Sequence, residues 1–186
     1  MINYDEIAGK YDEMFGSPEF TDEDKLLFPL IKKEVGLNES HRVLDIGCGT
    51  GLVLEKLDIA PENYLGIDPS IEMIKKAKAK FPKHNFLVST FEDLHINEKF
   101  DVIISTYGSF AYVNPRQFKN VWEFLKDGGK MFLMFYTPEY AKYVYDVVYK
   151  NSGYKAEIED VVSHDVLSRT FPRLLTFNKN WIVATN

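Results

Sequence analysis

The chain has 186 residues, 45% hydrophobic and 27% charged, a balance that suits one globular domain and excludes disordered, collagenous and coiled-coil chains. Its 28 acidic and 22 basic residues leave a net charge of −6, which disfavours a broad nucleic-acid-binding surface. The single cysteine, Cys48, excludes an internal disulfide framework and fits a reducing compartment.

The opening MINYDEIAGKYDEMF has no basic region followed by an apolar one, so it does not read as a signal peptide. Residues 1–35 read as helical, aromatic over Tyr4–Phe15 and amphipathic over Asp22–Val35. Short apolar runs then alternate with longer amphipathic ones. HRVLDIG, ENYLGID, HNFLVST, FDVIIS and GKMFLMFY predict five buried strands, with helices over Gly51–Leu57, Ser70–Phe81, Pro115–Leu125 and Pro138–Lys150. Ser70 is a good N-cap, and Ile71, Ile74, Ala77 and Phe81 mark one apolar face behind it. The tail adds two β-rich runs, Lys155–Val162 and Phe177–Thr185, expected as a hairpin-like pair at a sheet edge. Strand–helix alternation at this spacing predicts an α/β fold with a mostly parallel sheet covered on both faces. Met131 to Tyr136, the longest dense apolar stretch, is too short to cross a bilayer. A cytoplasmic protein without membrane contact is the expectation.

The most informative segment is Val43-Leu44-Asp45-Ile46-Gly47-Cys48-Gly49-Thr50-Gly51. A buried strand runs into three glycines at alternate positions and then into a helix. Glycines there admit positive φ and close approach of a ligand, and the helix start offers free N–H groups. The dinucleotide fingerprint G-x-G-x-x-G is not met, because Leu52 stands where its last glycine belongs. Asp45 would also repel a pyrophosphate, whereas it suits an ammonium group. Asp68 follows Gly51 by seventeen residues, at the end of the second strand, where a carboxylate can accept both hydroxyls of a ribose. Ribose and ammonium without pyrophosphate point to S-adenosylmethionine.

V-L-D-I-G-C-G-T-G followed by Y-L-G-I-D-P-S resembles the class I S-adenosylmethionine-dependent methyltransferases. Phe86–Leu94 is similar to that family's adenine-contacting segment, Phe100–Ser105 to its fourth strand, Leu125–Lys130 to its turn into the fifth, and Tyr4–Asp12 to its N-terminal lid. The resemblance implies a Rossmann-like methyltransferase fold with a seven-stranded sheet whose last strand is antiparallel. It implies one domain over 1–186: a helical lid at 1–35, a cofactor-binding core at 36–136, and the rest of the sheet at 137–186. It further implies that Asp45 and the Gly47, Cys48, Gly49, Gly51 loop hold the methionine moiety and that Asp68 binds the ribose. Pro69, Phe91 and Glu92 would border the adenine, and Ser105 and Thr106 would line the path to the sulfonium. Tyr4 and Tyr11 would close over the cofactor. Where many members have Asp, this chain has Thr90, whose hydroxyl can also accept from the adenine amino group, or Glu92 can replace it.

Methyl transfer from a sulfonium needs alignment more than acid–base chemistry. Tyr11 and Tyr107 are the candidate catalytic residues, with Tyr112 and Tyr136 as further aromatic neighbours of a cation. The stripe Tyr136, Tyr140, Tyr143 and Val147 reads as core. His41, His84, His95 and His164 lack metal-ligand spacing, so no metal is expected. Lys75, Lys76, Lys78 and Lys80 complement a helix dipole. Arg169 and Arg173 could meet an anionic group of an acceptor or serve as surface charge. The acidic chain favours a small-molecule acceptor over nucleic acid, and the oligomeric state stays open. A non-catalytic cofactor-binding or interaction protein is the alternative, with a nicotinamide-dependent dehydrogenase a weaker one.

Overall fold

A computed structural model describes residues 3–16, 18–149, 162–177 and 180–186. Seven strands form one sheet in the order β3-β2-β1-β4-β5-β7-β6. They are β1 (Val43–Ile46), β2 (Tyr64–Asp68), β3 (Asn85–Val88), β4 (Phe100–Ser105), β5 (Leu125–Tyr136), β6 (Arg173–Phe177) and β7 (Trp181–Thr185). Strands β1 to β5 pair in parallel, and β7 inserts antiparallel between β5 and β6. The fold is α/β of the Rossmann-like methyltransferase type.

Alternation along each strand sends successive side chains to opposite faces. Leu44, Ile103, Leu133 and Ile182 pack on one face, while Val43, Ile104, Phe132 and Val183 pack on the other. The second face is covered by α3 (Pro18–Val35), α4 (Leu52–Lys56) and α5 (Ile71–Lys80), which contribute Leu27, Ile31, Val53 and Ala77. On the first face lie a run of 3₁₀ turns over Pro115–Phe124 and helix α7 (His164–Thr170).

Several expectations are corrected here. Pro115–Phe124 winds as 3₁₀ turns rather than an α-helix, and its buried Phe118, Val121 and Phe124 recur every third residue, the 3₁₀ period. Ile71 is 52% exposed, because α5 buries Met73, Ile74 and Ala77 instead. Of the expected terminal hairpin, 155–161 lie outside the described residues, and β7 pairs with β6, reached through the unanticipated α7.

The order reverses between β1 and β4, so the loops leaving their carboxyl ends diverge and open a crevice, the usual ligand position in such sheets. Across its mouth lies the N-terminal segment, in two short helices, α1 (Tyr4–Ile7) and α2 (Tyr11–Met14), joined by a 3₁₀ turn. Ile7 and Ala8 are buried against Met73, Val144 and Tyr149, the last two from α6 (Pro138–Val144) and the turn beyond it.

Phe110 anchors the loop after β4. It is fully buried, with ring centroids 5.2 Å from Phe118 and 5.3 Å from Phe91. Phe110→Ala should therefore lower folding stability by about 3–5 kcal/mol, the usual cost of removing a core phenyl, read as a lower urea midpoint at unchanged slope.

Candidate active site

The crevice encloses a cavity of about 480 Å³, within the range of small-molecule sites. Its floor is the glycine loop. Gly47 has φ 73°, and a Cβ there would sit 2.3 Å from the Ser109 Cβ, so only glycine lets the loops after β1 and β4 approach this closely.

At the end of β2 the Asp68 carboxylate accepts from Gly49 N at 3.0 Å and from Ser70 N at 2.9 Å. Two backbone amides thus fix its orientation while it faces the cavity. Burial raises its pKa, the two amide bonds oppose this, and the Asp5 charge adds to the rise.

Asp45 lies below the loop, wholly buried and outside the cavity lining. Its Oδ2 accepts from the Tyr64 hydroxyl at 2.7 Å, while Oδ1 has no partner. Desolvation pushes its carboxyl up to about 7; the Tyr64 bond opposes this, and the Asp68 charge adds to it.

Of the sequence-predicted residues, the structure brings Tyr4, Tyr11, Gly47, Gly49, Asp68, Pro69, Thr90, Phe91, Glu92 and Tyr107 to the cavity. Asp45, Cys48, Gly51, Ser105 and Thr106 do not line it. Cys48 is buried against Gly66. Gly51 begins α4 at φ 93°, and a Cβ on it would lie 2.9 Å from the Phe81 ring. The buried Ser105 hydroxyl donates to the Ile46 carbonyl at 2.8 Å, joining the ends of β4 and β1. The Thr106 carbonyl accepts from Ser109 N. Thr90 donates its hydroxyl to Asp93 at 2.8 Å, and Glu92 accepts from Asn114 N at 2.8 Å. Thr90 thus closes a local turn and Glu92 ties the loop after β3 to the start of the 3₁₀ run at Asn114, in addition to bordering the cavity.

Tyr107 has φ 52°, the one positive value outside glycine among the described residues, a costly backbone for a bulky side chain. Its hydroxyl donates to Asp24, which also pairs with Lys56 at 2.8 Å. Tyr11 and Tyr107 separate the cavity from a smaller one of about 190 Å³ beside α4. Burial raises the pKa of both hydroxyls, keeping them neutral at physiological pH.

The sequence reading missed Met73, Ser109, Tyr145 and Tyr149, which also line the cavity. Tyr136, expected both as an aromatic neighbour of a cation and as part of a core stripe, lines the cavity, while Tyr143 and Val147 of that stripe are exposed. Arg169 pairs with Asp165 and Arg173 with Glu34, and neither lines the cavity.

The N-terminal segment is fastened over the site by its carboxylates. Asp5 accepts from the Ser70 hydroxyl at 2.6 Å and from Glu72 N at 3.1 Å. Asp12 accepts from the Thr50 hydroxyl at 2.6 Å and pairs with Lys80 at 2.8 Å.

Residues 43–129 match the family described as a methyltransferase domain. Over those residues the chain matches a methyltransferase domain, consistent with the class I family that its sequence resembles. The uncharacterized protein MJ1252 of Methanocaldococcus jannaschii is 36% identical over 128 residues, 68% of this chain and 47% of that protein. The malonyl-[acyl-carrier protein] O-methyltransferase of Bacillus anthracis is 30% identical over 141 residues, 72% of this chain and 49% of that protein. The chain thus spans about half the length of those two curated relatives. The DhpI–SAH complex superposes with a TM-score of 0.71 at 17% identity, covering 98% of this chain and 91% of that one, a likeness of fold.

The buried Asp45 carries a pH signature. Its native carboxyl keeps the proton up to about pH 7, whereas an unfolded aspartate releases it near about pH 4. The native state then binds more protons between those values, so this group's contribution to stability falls as pH rises through that window. Asp45→Asn removes the slope. Urea unfolding from pH 5 to 8 should find the variant gaining on the wild type as pH rises; a pH-independent difference would contradict the assignment.

Proposed function

We propose that the chain transfers the methyl group of S-adenosylmethionine to a small-molecule acceptor. The observation that carries this reading is the Asp68 carboxylate, oriented by two backbone amides at the edge of an enclosed cavity. A carboxylate so fixed suits a ribose diol. The buried Asp45, outside the cavity lining, adds an acidic group below the glycine loop rather than a direct ligand to the cofactor. A pyrophosphate above the same carboxylate would be repelled, which weighs against a nicotinamide dinucleotide.

When bound, S-adenosylmethionine supplies an electrophilic methyl carbon on a sulfonium. Asp68 would hold the ribose, and the backbone of Gly47 and Gly49 would border the methionine moiety. Pro69 and Phe91 would border the adenine, with Glu92 as the acidic group beside its amino nitrogen. Tyr11 and Tyr107, both neutral, would orient the acceptor and exclude water rather than remove a proton. In-line displacement gains most from such alignment.

Calorimetry separates this reading from its rivals. S-adenosylmethionine and S-adenosylhomocysteine should bind saturably, and NAD should not. Asp68→Ala removes charge-assisted bonds worth about 1.5–3 kcal/mol each, so affinity should drop at least tenfold in a folded variant. Saturable NAD binding with no response to either nucleoside would overturn the assignment. Methyl-labelled cofactor incubated with a metabolite extract then distinguishes an enzyme, which labels a product, from a binding protein, which does not.

The N-terminal segment serves this site as a lid. It lies over the cavity and is held by polar contacts at its rim, an arrangement suited to excluding water during transfer. Amide exchange over residues 4–15 should be fast without ligand and clearly slowed by S-adenosylhomocysteine. Equal protection in both states, with an unimpaired Tyr11→Phe enzyme, would make the segment permanent structure.

A further inference from the structure

Six aromatic rings form a continuous chain in the cavity wall. Ring centroids are 6.0 Å apart from Tyr112 to Tyr4, 6.3 Å from Tyr4 to Tyr11, and 4.7 Å from Tyr11 to Phe15. The chain continues at 5.9 Å from Phe15 to Tyr149 and 5.4 Å from Tyr149 to Tyr145. Three separate segments supply them: the lid, the turn after β4 and the turn after α6. All six line the cavity.

The charged side chains lining the same cavity are Asp5, Asp68 and Glu92; among the described residues no Lys, Arg or His does so. An anionic acceptor would meet carboxylates and ring faces, with no cationic side chain among the described lining residues to offset the cost of leaving water. A cation meets the reverse: ring faces attract it through their quadrupole, and the carboxylates offset its charge. Burial raises the pKa of Tyr4, Tyr11 and Tyr149, so these rings carry neutral hydroxyls.

Resting on the reading that this cavity takes S-adenosylmethionine, we propose that the acceptor is an organic amine, held as an ammonium against the aromatic wall and methylated on nitrogen. The ammonium first releases its proton to water. The nitrogen lone pair then forms the N–C bond while the C–S bond of the sulfonium breaks and its electron pair returns to sulfur. The positive charge passes from sulfur to the methylated nitrogen, which stays among groups that favour it until release.

Calorimetry on the protein saturated with S-adenosylhomocysteine tests this with three probes of one shape: choline, the uncharged 3,3-dimethylbutan-1-ol and the anionic 3,3-dimethylbutanoate. Choline should bind roughly tenfold or more tightly than the alcohol, as several ring faces imply, and the butanoate should not bind. Tyr112→Leu, which removes one ring, should shrink the choline-to-alcohol ratio severalfold. The wild-type comparison stands whether or not that variant folds. Equal affinity for choline and the alcohol, or preference for the butanoate, in a protein that holds S-adenosylhomocysteine overturns the amine assignment and leaves the cofactor reading intact. Failure to hold S-adenosylhomocysteine overturns both.

Discussion

One carboxylate joins most of the candidate site. Asp68 accepts from Gly49 in the glycine loop and from Ser70 at the start of α5. The Ser70 hydroxyl in turn donates to Asp5 of the N-terminal segment while accepting from Met73 N as the helix cap. The loop floor, the end of β2, the start of α5 and the segment over the cavity therefore share one hydrogen-bonded path. Because both Asp68 bonds come from backbone amides, its position depends on the register of β1 and β2, where Asp45 pairs with Gly66 and Ile46 with Ile67. The sheet is thus the reference frame for the site. Nothing in the path needs a long flexible side chain, so little rotamer entropy is lost in building it.

The strands and the crevice were legible in the sequence because both rest on local signals. Apolar runs such as Val43–Ile46 and Phe100–Ser105 have one structural solution when flanked by glycine or polar turns, and the three glycines mark a backbone that other residues resist. Side-chain direction was less legible. Asp45 was read as facing a ligand, yet strand alternation sends it to the same face as Val43, where Tyr64 donates to it. Thr90 or Glu92 is expected to accept from an adenine amino group, but the Thr90 hydroxyl, three residues before Asp93, first closes a local turn. Tyr145 and Tyr149 were hidden because no motif marks them. They reach the cavity only through the packing of the turn after α6, a tertiary outcome that periodicity does not encode.

Tyr107 illustrates the same limit from the backbone side. No sequence rule anticipates a left-handed tyrosine, because its cost must be offset by contacts far along the chain. The offset here is the hydrogen bond to Asp24 on α3 and the close approach of the next residue, Gly108, to the Tyr136 ring. The conformation turns the chain sharply at the end of β4 and sets the Tyr107 ring between the two cavities.

Charge is sorted by the same elements. Two of the α5 lysines first read as dipole complements in fact fasten the outer side of the N-terminal segment, Lys80 to Asp12 and Lys76 to the Gly9 carbonyl, while Lys56 of α4 pairs with Asp24 of α3. Each pair is partly exposed, so each adds little stability. Their joint effect is positional. Those cations are drawn to the outside of the segment, while Asp5, Asp68 and Glu92 stay at the cavity with neutral tyrosine hydroxyls around them. The cavity lining thereby carries carboxylates and no cation among the described residues, in surroundings that screen charge less than bulk water does. A sulfonium and an ammonium are the kinds of group such a lining suits, and the chain's acidic composition alone would not have located it: it follows from Asp5, Asp68 and Glu92 reaching the cavity while Lys76 and Lys80 bond the segment without lining the cavity.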